Sequence, residues 1–248
     1  MEKKLKSWQG WLLFGGTMVV VFVLGMIAAS VNERHAEVSS VMNNKKTEIT
    51  GIEARNDKFE PNYPREYQTW EATADTSFKS LYNGNQAVDV LEARPEMVIL
   101  WAGYAFSKDY STPRGHMYAI EDMRNTLRVG APMTENEGPQ PATCWTCKSP
   151  DVPRMMQAMG VDNFYKGKWA SLGKEIVNPI GCADCHEPEN MNLHISRPAL
   201  IEAFQRQGKD ITKATQQEMR SLVCAQCHVE YYFKGDGKYL TFPWDKGS

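Results

Sequence analysis

An almost uncharged apolar run between Gly10 and Ser30 is the strongest hydrophobic feature of the chain, and it follows Lys3, Lys4 and Lys6. With about 19 apolar residues it is long for the core of a secretion signal and just enough to span a bilayer. The small residues at positions 28–30 offer a cleavage site, so a removed signal peptide and a retained anchor both stay open. A buried helix of a soluble protein would need an apolar partner, and no second stretch of comparable apolarity exists. Because positive charge stays on the cytoplasmic side, we expect everything after residue 30 in the periplasm or its equivalent.

The rest of the chain alternates polar linkers with helix signals. Residues 31–63 are polar and charged and predict a lead-in along the surface of a domain, with no core beginning there. From residue 64 onward helix signals dominate, and several of them open with proline or a capping residue. The predicted helices are 64–72, 95–105, 116–129, 150–159, 198–207 and 215–228. Strand signals are scarce, and they predict one hairpin near 230–242 with Asp236 and Gly237 at its turn. The pattern therefore predicts a mainly α fold with three parts: a signal or anchor at 1–30, a lead-in at 31–63 and one domain at 64–248.

Composition and charge exclude two broad classes of protein. The chain has 248 residues, of which 42% are hydrophobic and 23% are charged, and this balance excludes wholesale disorder. The formal net charge is −2, and no long basic block follows the N-terminus. A nucleic-acid partner is excluded because its usual electrostatic signature is missing.

All six cysteines fall into three Cys-x-x-Cys pairs, which need a covalent or metal explanation. The pairs and the residues that follow them are Cys144 and Cys147 with Lys148, Cys182 and Cys185 with His186, and Cys224 and Cys227 with His228. Cys-x-x-Cys-His is the attachment pattern of c-type haem, in which two thiols form thioethers and the histidine reaches the iron from the proximal side. The sequence therefore predicts two such haems and a third at which the amine of Lys148 replaces the imidazole.

Structural zinc and disulfides are the alternatives for these cysteines. One zinc ion would be bound by two cysteine pairs, which would leave the third pair without a metal. Oxidising conditions after export also disfavour zinc thiolates. Disulfides of the thioredoxin type would need a βαβ setting, which the pattern lacks, and they would leave His186 and His228 unexplained. Besides these two, only His116 and His194 are plausible distal ligands, since His35 lies just after the apolar run. An open distal face at the lysine-ligated haem would admit a small molecule, which is the layout of an enzyme supplied with electrons by the other haems.

The three cysteine motifs in their surroundings resemble the pentahaem cytochrome c nitrite reductases, the ammonia-forming enzymes. The resemblance runs from about residue 64 to residue 244. It is carried by the segments 144–152 (CWTCKSPDV), 181–186 (GCADCH) and 224–233 (CAQCHVEYYF), and upstream by 114–119 (RGHMYA) and 126–132 (TLRVGAP). Cys-x-x-Cys-Lys is the signature of that family and is far more diagnostic than Cys-x-x-Cys-His. It implies a multihaem cytochrome c fold whose core is organised around covalent haems.

The resemblance also implies roles for single residues. His116 corresponds to the distal ligand of the third haem, and Arg128, rather than Arg114, to the arginine over the open face of the active-site haem. Tyr231 corresponds to the active-site tyrosine. Glu230 and the backbone carbonyl of Tyr231 correspond to part of a calcium site, and oxygen ligands of this kind suit calcium. No matching role follows for His194, which we expect to be a packed or surface histidine. Without the family match, Arg128 could be a cation at a helix C-terminus and Tyr231 a packing residue of the hairpin.

For the whole protein, the resemblance implies six-electron reduction of nitrite to ammonium, in which Arg128, Tyr231 and Lys148 act at one haem and the other haems relay electrons. The expected partners are nitrite, an electron donor that is either a membrane quinol-oxidising cytochrome or a soluble periplasmic cytochrome, and a second copy in a homodimer. The family carries two more haems, an active-site histidine and further calcium ligands, which would follow Trp244. The chain is therefore expected to be an N-terminal fragment with three of five haems.

Two rival functions remain open from the sequence. One is a related multihaem enzyme that acts on hydroxylamine or sulfur oxyanions, because such enzymes share open haems. The other is a multihaem cytochrome that only transfers electrons. Lys148 argues against the second, since a pure electron carrier would place histidine after every cysteine pair.

Overall fold

A computed structural model describes residues 7–43, 45–79, 81, 86–127 and 140–246 of the chain. The chain divides into two compact units, Met1–Lys46 and Thr47–Ser248. In the first unit, helix α1 spans Ser7–Asn43 and exposes its apolar side chains, such as Trp11 and Phe22. The stretch Ser7–Ser40 is long and apolar enough to cross a membrane. The helix continues well past position 30, so much of the predicted polar lead-in is helical.

The second unit begins its core earlier than the sequence pattern predicts. Phe59 is fully buried, and Ile49, Ala54 and Tyr63 are also buried. Asn62 stabilises this segment because its amide accepts a hydrogen bond from the backbone of Thr47 and donates one back to it, at 3.1 and 2.8 Å. The expectation that no core begins before Pro64 is therefore wrong: single apolar side chains in a polar stretch are buried by tertiary packing that no local pattern reveals.

Short helices dominate the described part of the second unit. They are α2 Pro64–Glu71, α3 Val90–Ala93, α4 Met97–Leu100, α5 Ala119–Asn125, α6 Asp151–Met159, α7 Val161–Lys166, α8 Trp169–Leu172, α9 Cys182–Cys185, α10 Pro198–Arg206 and α11 Gln216–Ala225. Four predicted helices, those opening at 64, 150, 198 and 215, are confirmed with small shifts at their ends. Proline lies at the first turn of α2 and α10, where its missing N–H costs nothing. Thr215 and Glu218 form a reciprocal cap at the start of α11.

Two predicted helices are shorter than expected. The segment 95–105 is α-helical only in α4, which ends at Leu100, and Gly103 adopts a φ of 89° before a 3-10 turn begins at Ala105. The segment 116–129 begins with a 3-10 turn at His116–Tyr118 and continues as α5, after which Thr126 is extended, and its positions 128 and 129 lie outside the described residues. Apolar spacing predicts a helical face, but it does not detect a backbone that leaves the helix for tertiary contacts.

The predicted hairpin is confirmed, and with it the mainly α fold class. Strands β1 Tyr232–Lys234 and β2 Tyr239–Thr241 pair antiparallel, with Phe233 opposite Leu240. The core beside the hairpin contains Phe242, Leu200 and Phe164, and Trp145 stacks on Trp169 with ring centres 3.4 Å apart. Trp145 of the first cysteine motif therefore belongs to the hydrophobic core.

Candidate haem-binding site

Each cysteine pair lies on a single helical turn that also places the following Lys or His. The backbone N–H of His186 donates to Cys182 O at 2.9 Å, and that of His228 donates to Cys224 O at 2.8 Å. The first motif begins within the 3-10 turn Ala142–Trp145, and the N–H of Lys148 donates to Trp145 O at 2.9 Å. All six thiols are free of disulfides. Two thiols on one turn with a ligand directly behind them is the arrangement that a covalently attached planar cofactor requires.

The first motif is held rigidly by its non-cysteine residues. Trp145 is 1% exposed, and its indole N–H donates to Trp169 O at 2.9 Å. Ser149, directly after Lys148, donates to Asn178 O at 2.6 Å. The side chain of Lys148 is half-buried and forms no ion pair within the described part of the chain. The turn thus fixes the backbone of Lys148 while leaving its amine without a carboxylate partner among the described residues.

The second motif orients its histidine as a metal ligand would be oriented. Nδ1 of His186 lies 2.8 Å from Met191 O. A carbonyl oxygen only accepts, so Nδ1 carries the proton and Nε2 presents its lone pair. Met191 adopts a φ of 59°, an uncommon backbone for methionine, in the turn that aims this carbonyl. A hydrogen bond from the second ring nitrogen to a carbonyl is the usual support of a ligating histidine.

His116 and His228 face one another. Their ring centres are 6.0 Å apart, and the rings are inclined by 41°. Two metal–imidazole bonds of about 2 Å each, together with the ring radii, give a separation of about this size for two axial ligands on one metal. The pKa of His116 is lowered, first by desolvation and then by the nearby His228. His116 is also exposed to solvent.

The first and third motifs are neighbours. Cys147 and Cys227 lie close enough to interact, and this interaction lowers the pKa of the Cys147 thiol and raises that of Cys227. Burial raises the pKa of Cys144, Cys182 and Cys185 to about 11 each. The structure therefore brings together residues from motifs about 80 positions apart in sequence, counted from Cys147 to Cys227.

Asn56 supports the second motif and was missed by the sequence reasoning. Its side-chain oxygen accepts from the N–H of Cys182 at 2.9 Å, and its NH₂ donates to Pro179 O at 3.1 Å. A Cβ on Gly181 would lie 1.9 Å from Asn56 Oδ1, so only glycine allows this approach. Trp70 adds a hydrogen bond to Ile180 O at 2.9 Å. An Asn in a polar stretch gives no local signal of a contact 126 residues away.

The resemblance also implied roles for residues outside the cysteine motifs, and these residues lie in different environments. Arg128 lies outside the described residues. Arg114, which was set aside for its role, forms an ion pair with Asp122 at 2.6 Å. Tyr231 is 46% exposed, with its ring 5.9 Å from that of Phe233, and Glu230 beside it is exposed at the start of the hairpin. Among the described residues, no group of three His, Cys, Asp or Glu side chains is placed to hold a metal ion. The roles of these residues therefore remain predictions.

His194 lines a cavity of about 560 Å³ beside the second motif. Its backbone N–H donates to Cys185 O at 2.9 Å, whereas Nδ1 is buried without a hydrogen-bond partner in the described structure. Burial lowers the pKa of this ring. The half-buried position agrees with the expectation of a packed histidine.

The residues present fit covalently attached haem. The fit rests on the donor chemistry of the motifs, on the proton position of His186 and on the separation of His116 and His228. When bound there, haem supplies a redox-active iron. Cys182, Cys185 and His186 would hold one haem. The first motif and the third would hold the others in the same way, with Lys148 and His228 as proximal ligands and His116 opposite His228.

The chain is similar to known proteins. The model of the cytochrome c552 family matches residues 55–248. A protein of Parabacteroides distasonis described as cytochrome c-552 is 99% identical over 248 residues, and one of Bacteroides fragilis is 77% identical over 247 residues; each alignment covers 100% of this chain and 50% of the relative. The chain spans about half the length of the curated relatives it matches.

A solved structure is similar to this chain in fold. It is described as the catalytic subunit of the cytochrome c nitrite reductase of Desulfovibrio desulfuricans, with two calcium sites. The alignment covers 81% of this chain and 46% of the chain in that structure, with 33% sequence identity and a TM-score of 0.72. The resemblance read from the cysteine motifs and the mainly helical multihaem cytochrome fold are thereby confirmed. The chain is a member of the cytochrome c552 family, of the nitrite reductase type.

Proposed function

We propose that the full-length protein reduces nitrite to ammonium at a c-type haem held by Cys144, Cys147 and Lys148. One observation carries the proposal: each motif places a residue directly behind two thiols on a helical turn, and the first presents an amine where the others present imidazoles. A site with a different axial donor is distinguished for chemistry rather than for electron transfer. The related nitrite reductase structure supports the choice of substrate.

The reaction fits a protein with several haems. Nitrogen passes from +3 in nitrite to −3 in ammonium, so six electrons must reach one site, and the haems of the second and third motifs would relay them. Arg128, which is always cationic, would bind the anionic substrate. Tyr231 would donate a hydrogen bond and a proton to a substrate oxygen. Unlike a thiolate, Lys148 adds no negative charge at the proximal side. We expect this absence of charge to favour nitrite binding over oxygen activation.

Calcium, location and partners complete the proposal. Glu230 and the carbonyl of Tyr231 would contribute to a calcium site, in keeping with the two calcium sites described for the related structure. The apolar α1 would deliver the protein to the periplasm, as a signal peptide or as an anchor. A membrane quinol-oxidising cytochrome or a soluble periplasmic cytochrome would donate electrons, and the protein would act as a homodimer.

Haem quantitation tests the proposal first. The complete gene is expressed together with the c-type cytochrome maturation system, and haem is measured as pyridine haemochrome alongside electron paramagnetic resonance. We expect five haems per chain, one of them high-spin and accessible to substrate. Three haems, all low-spin, would mean a pure electron carrier and would overturn the roles of Lys148, Arg128 and Tyr231.

A substitution at the lysine tests the axial donor. We expect Lys148→His to keep its covalent haem and to lose nitrite turnover by about tenfold or more, measured as ammonium formed, because the axial donor of the reacting iron has changed. Lys209→His, at an exposed position, is the matched control and is expected to retain full turnover. Full activity in Lys148→His would contradict the proposal. Faster reduction of hydroxylamine or sulfite than of nitrite by the unaltered protein would favour the rival enzyme class.

A further inference from the structure

The three haem motifs converge on one buried arginine. Arg197 is 1% exposed and directly precedes α10. Its Nε donates to Thr146 O at 2.8 Å, and its Nη2 donates to Ser149 O at 2.8 Å, so the guanidinium spans the turn of the first motif. Nη2 also lies 2.5 Å from Oδ1 of Asp184, in the second motif, as an ion pair in which the N–H is not aligned as a hydrogen bond.

The third motif reaches the same point through Gln226. The side-chain oxygen of Gln226 accepts from the N–H groups of Ser196 and Arg197, at 2.9 and 3.0 Å. Its NH₂ donates to Asp184 O at 2.9 Å, which ties the third motif to the second. Ser196 closes the cluster, because its hydroxyl donates to Asp184 O and accepts from Nη1 of Arg197, each at 2.6 Å.

The positions of these partners are equivalent in the three motifs. Thr146, Asp184 and Gln226 each stand immediately before the second cysteine of a pair. They are 1%, 3% and 2% exposed, whereas that position carries no requirement for haem attachment itself. Because all three residues are buried around one cation, they share a structural role. Burial opposes the charge of Arg197, but Asp184 together with the neighbouring Cys227 and Cys147 outweighs burial, and the pKa of the guanidinium is raised.

We propose that Arg197 is a positioning residue that holds the three haem-attachment motifs in one arrangement and places a buried charge, balanced by Asp184, among the haems. The inference rests on the proposed haem attachment. Arg suits the task because its rigid, planar guanidinium spreads its donors over three nitrogens that reach separate partners, whereas the ammonium of a lysine is a single point charge. Asp184, Ser196 and Gln226 act with it, and none of them contacts substrate in this assignment.

Reduction potentials distinguish this role from simple packing. Charge left unpaired near an iron changes the cost of its oxidised form, so the two halves of the ion pair have opposite effects. In the full-length haem protein, we expect Arg197→Gln to leave Asp184 unpaired and shift the haem potentials downward. We expect Asp184→Asn to leave Arg197 unpaired and shift them upward. Arg197→Lys, which keeps the charge but not the fork, should lower Tm while leaving the potentials near those of the unaltered protein.

The control is Arg206→Gln, which breaks an ion pair with Asp245 at the other end of the same helix and should leave the potentials unchanged. The measurements are potentiometric titration followed by haem absorbance, covalent haem per chain and Tm. If Arg197→Gln does not fold, Asp184→Asn and Arg197→Lys decide the outcome. The inference would be overturned, while the proposed function would stand, if Arg197→Gln and Asp184→Asn shifted the potentials in the same direction. Unchanged potentials in Asp184→Asn would have the same consequence. Absence of covalent haem from the unaltered protein would overturn the proposed function and this inference with it.

Discussion

Single residues far apart in sequence determine how the haem motifs are presented. His186 is oriented by a carbonyl five residues away, whereas the second motif as a whole depends on Asn56, 126 residues before Cys182. Buried side-chain amides with both ends satisfied are costly to remove, because the partners lose their hydrogen bonds without gaining water. Asn56 is therefore expected to matter as much as the residues inside the motif.

Substitution of Asn56 tests this dependence. We expect Asn56→Ala to lower the free energy of unfolding by about 1–3 kcal/mol, because the N–H of Cys182 and the carbonyl of Pro179 lose their partner. Urea unfolding at neutral pH measures the loss. Asn163→Ala is the control, because Asn163 is exposed and its amide donates only within its own region, to Met159 O. Equal stability of the two variants would show that Asn56 is dispensable.

At the scale of elements, the helices are short and are anchored by ion pairs and caps rather than by length. Helix α10 shows this at both ends: Arg197 precedes it, and Arg206 in its last turn pairs with Asp245 at 2.5 Å. Asp245 also accepts from Thr241 of β2 at 2.5 Å, so one buried carboxylate joins a helix to the hairpin. Helices of two turns are marginal alone, and such contacts supply the stability that they lack.

Acid should weaken this junction. Burial would raise the pKa of Asp245, but hydrogen bonds from Arg206 and Thr241 prevail and the pKa is lowered. A carboxyl with a lowered folded pKa contributes stability that is fully present above its unfolded value, about 3.9, and that is lost as the pH falls through the folded value. We therefore expect Asp245→Asn to be less stable than the unaltered protein by about 1 kcal/mol at pH 7, with the difference shrinking below about pH 4.

Thermal unfolding between pH 7 and pH 2 measures this effect. Asp162→Asn, at an exposed position of α7, is the matched control and should follow the unaltered protein at every pH. A difference between Asp245→Asn and the unaltered protein that stays constant with pH would contradict the assignment of the carboxylate.

At the scale of the whole molecule, an apolar helical unit precedes a domain that contains the three motifs. The charge before the helix is expected to set its orientation, because lysines at the N-terminal side stay in the cytoplasm. In the proposed function, haem attachment, electron supply and nitrite access would all depend on delivery of the domain across the membrane. The topology of the N-terminus is therefore a condition for the proposed function.

Charge reversal tests the orientation. A reporter phosphatase that is active only outside the cytoplasm is fused after residue 63. We expect replacement of Lys3, Lys4 and Lys6 by Glu to reduce its activity several-fold, because the positive flank is lost. Replacement of the lysines at 45, 46 and 58 by Glu changes the net charge equally beyond the helix and should not reduce activity. Unchanged export after the first replacement would show that charge does not orient this segment.

Local sequence accounts for the elements and for the chemistry of the motifs. The period of apolar residues, the proline at helix starts and the Asp-Gly turn are short-range signals, so four helices and the hairpin could be predicted within a few residues. The resemblance to the family was carried by Cys-x-x-Cys-Lys together with the residues around the three cysteine pairs. Where the backbone departs from the helical pattern, at Gly103 and at Thr126, the prediction of a continuous helix was wrong.

Only the tertiary structure decided how the motifs are joined. The early core around Phe59 is one example. The support from Asn56 and the convergence of Thr146, Asp184 and Gln226 on Arg197 connect residues between 13 and 126 positions apart. No periodicity encodes such pairs, because burial of a polar group is favourable only when a distant partner satisfies it. The sequence by itself determined which residues can hold haem, whereas packing determined which of them share a single buried charge.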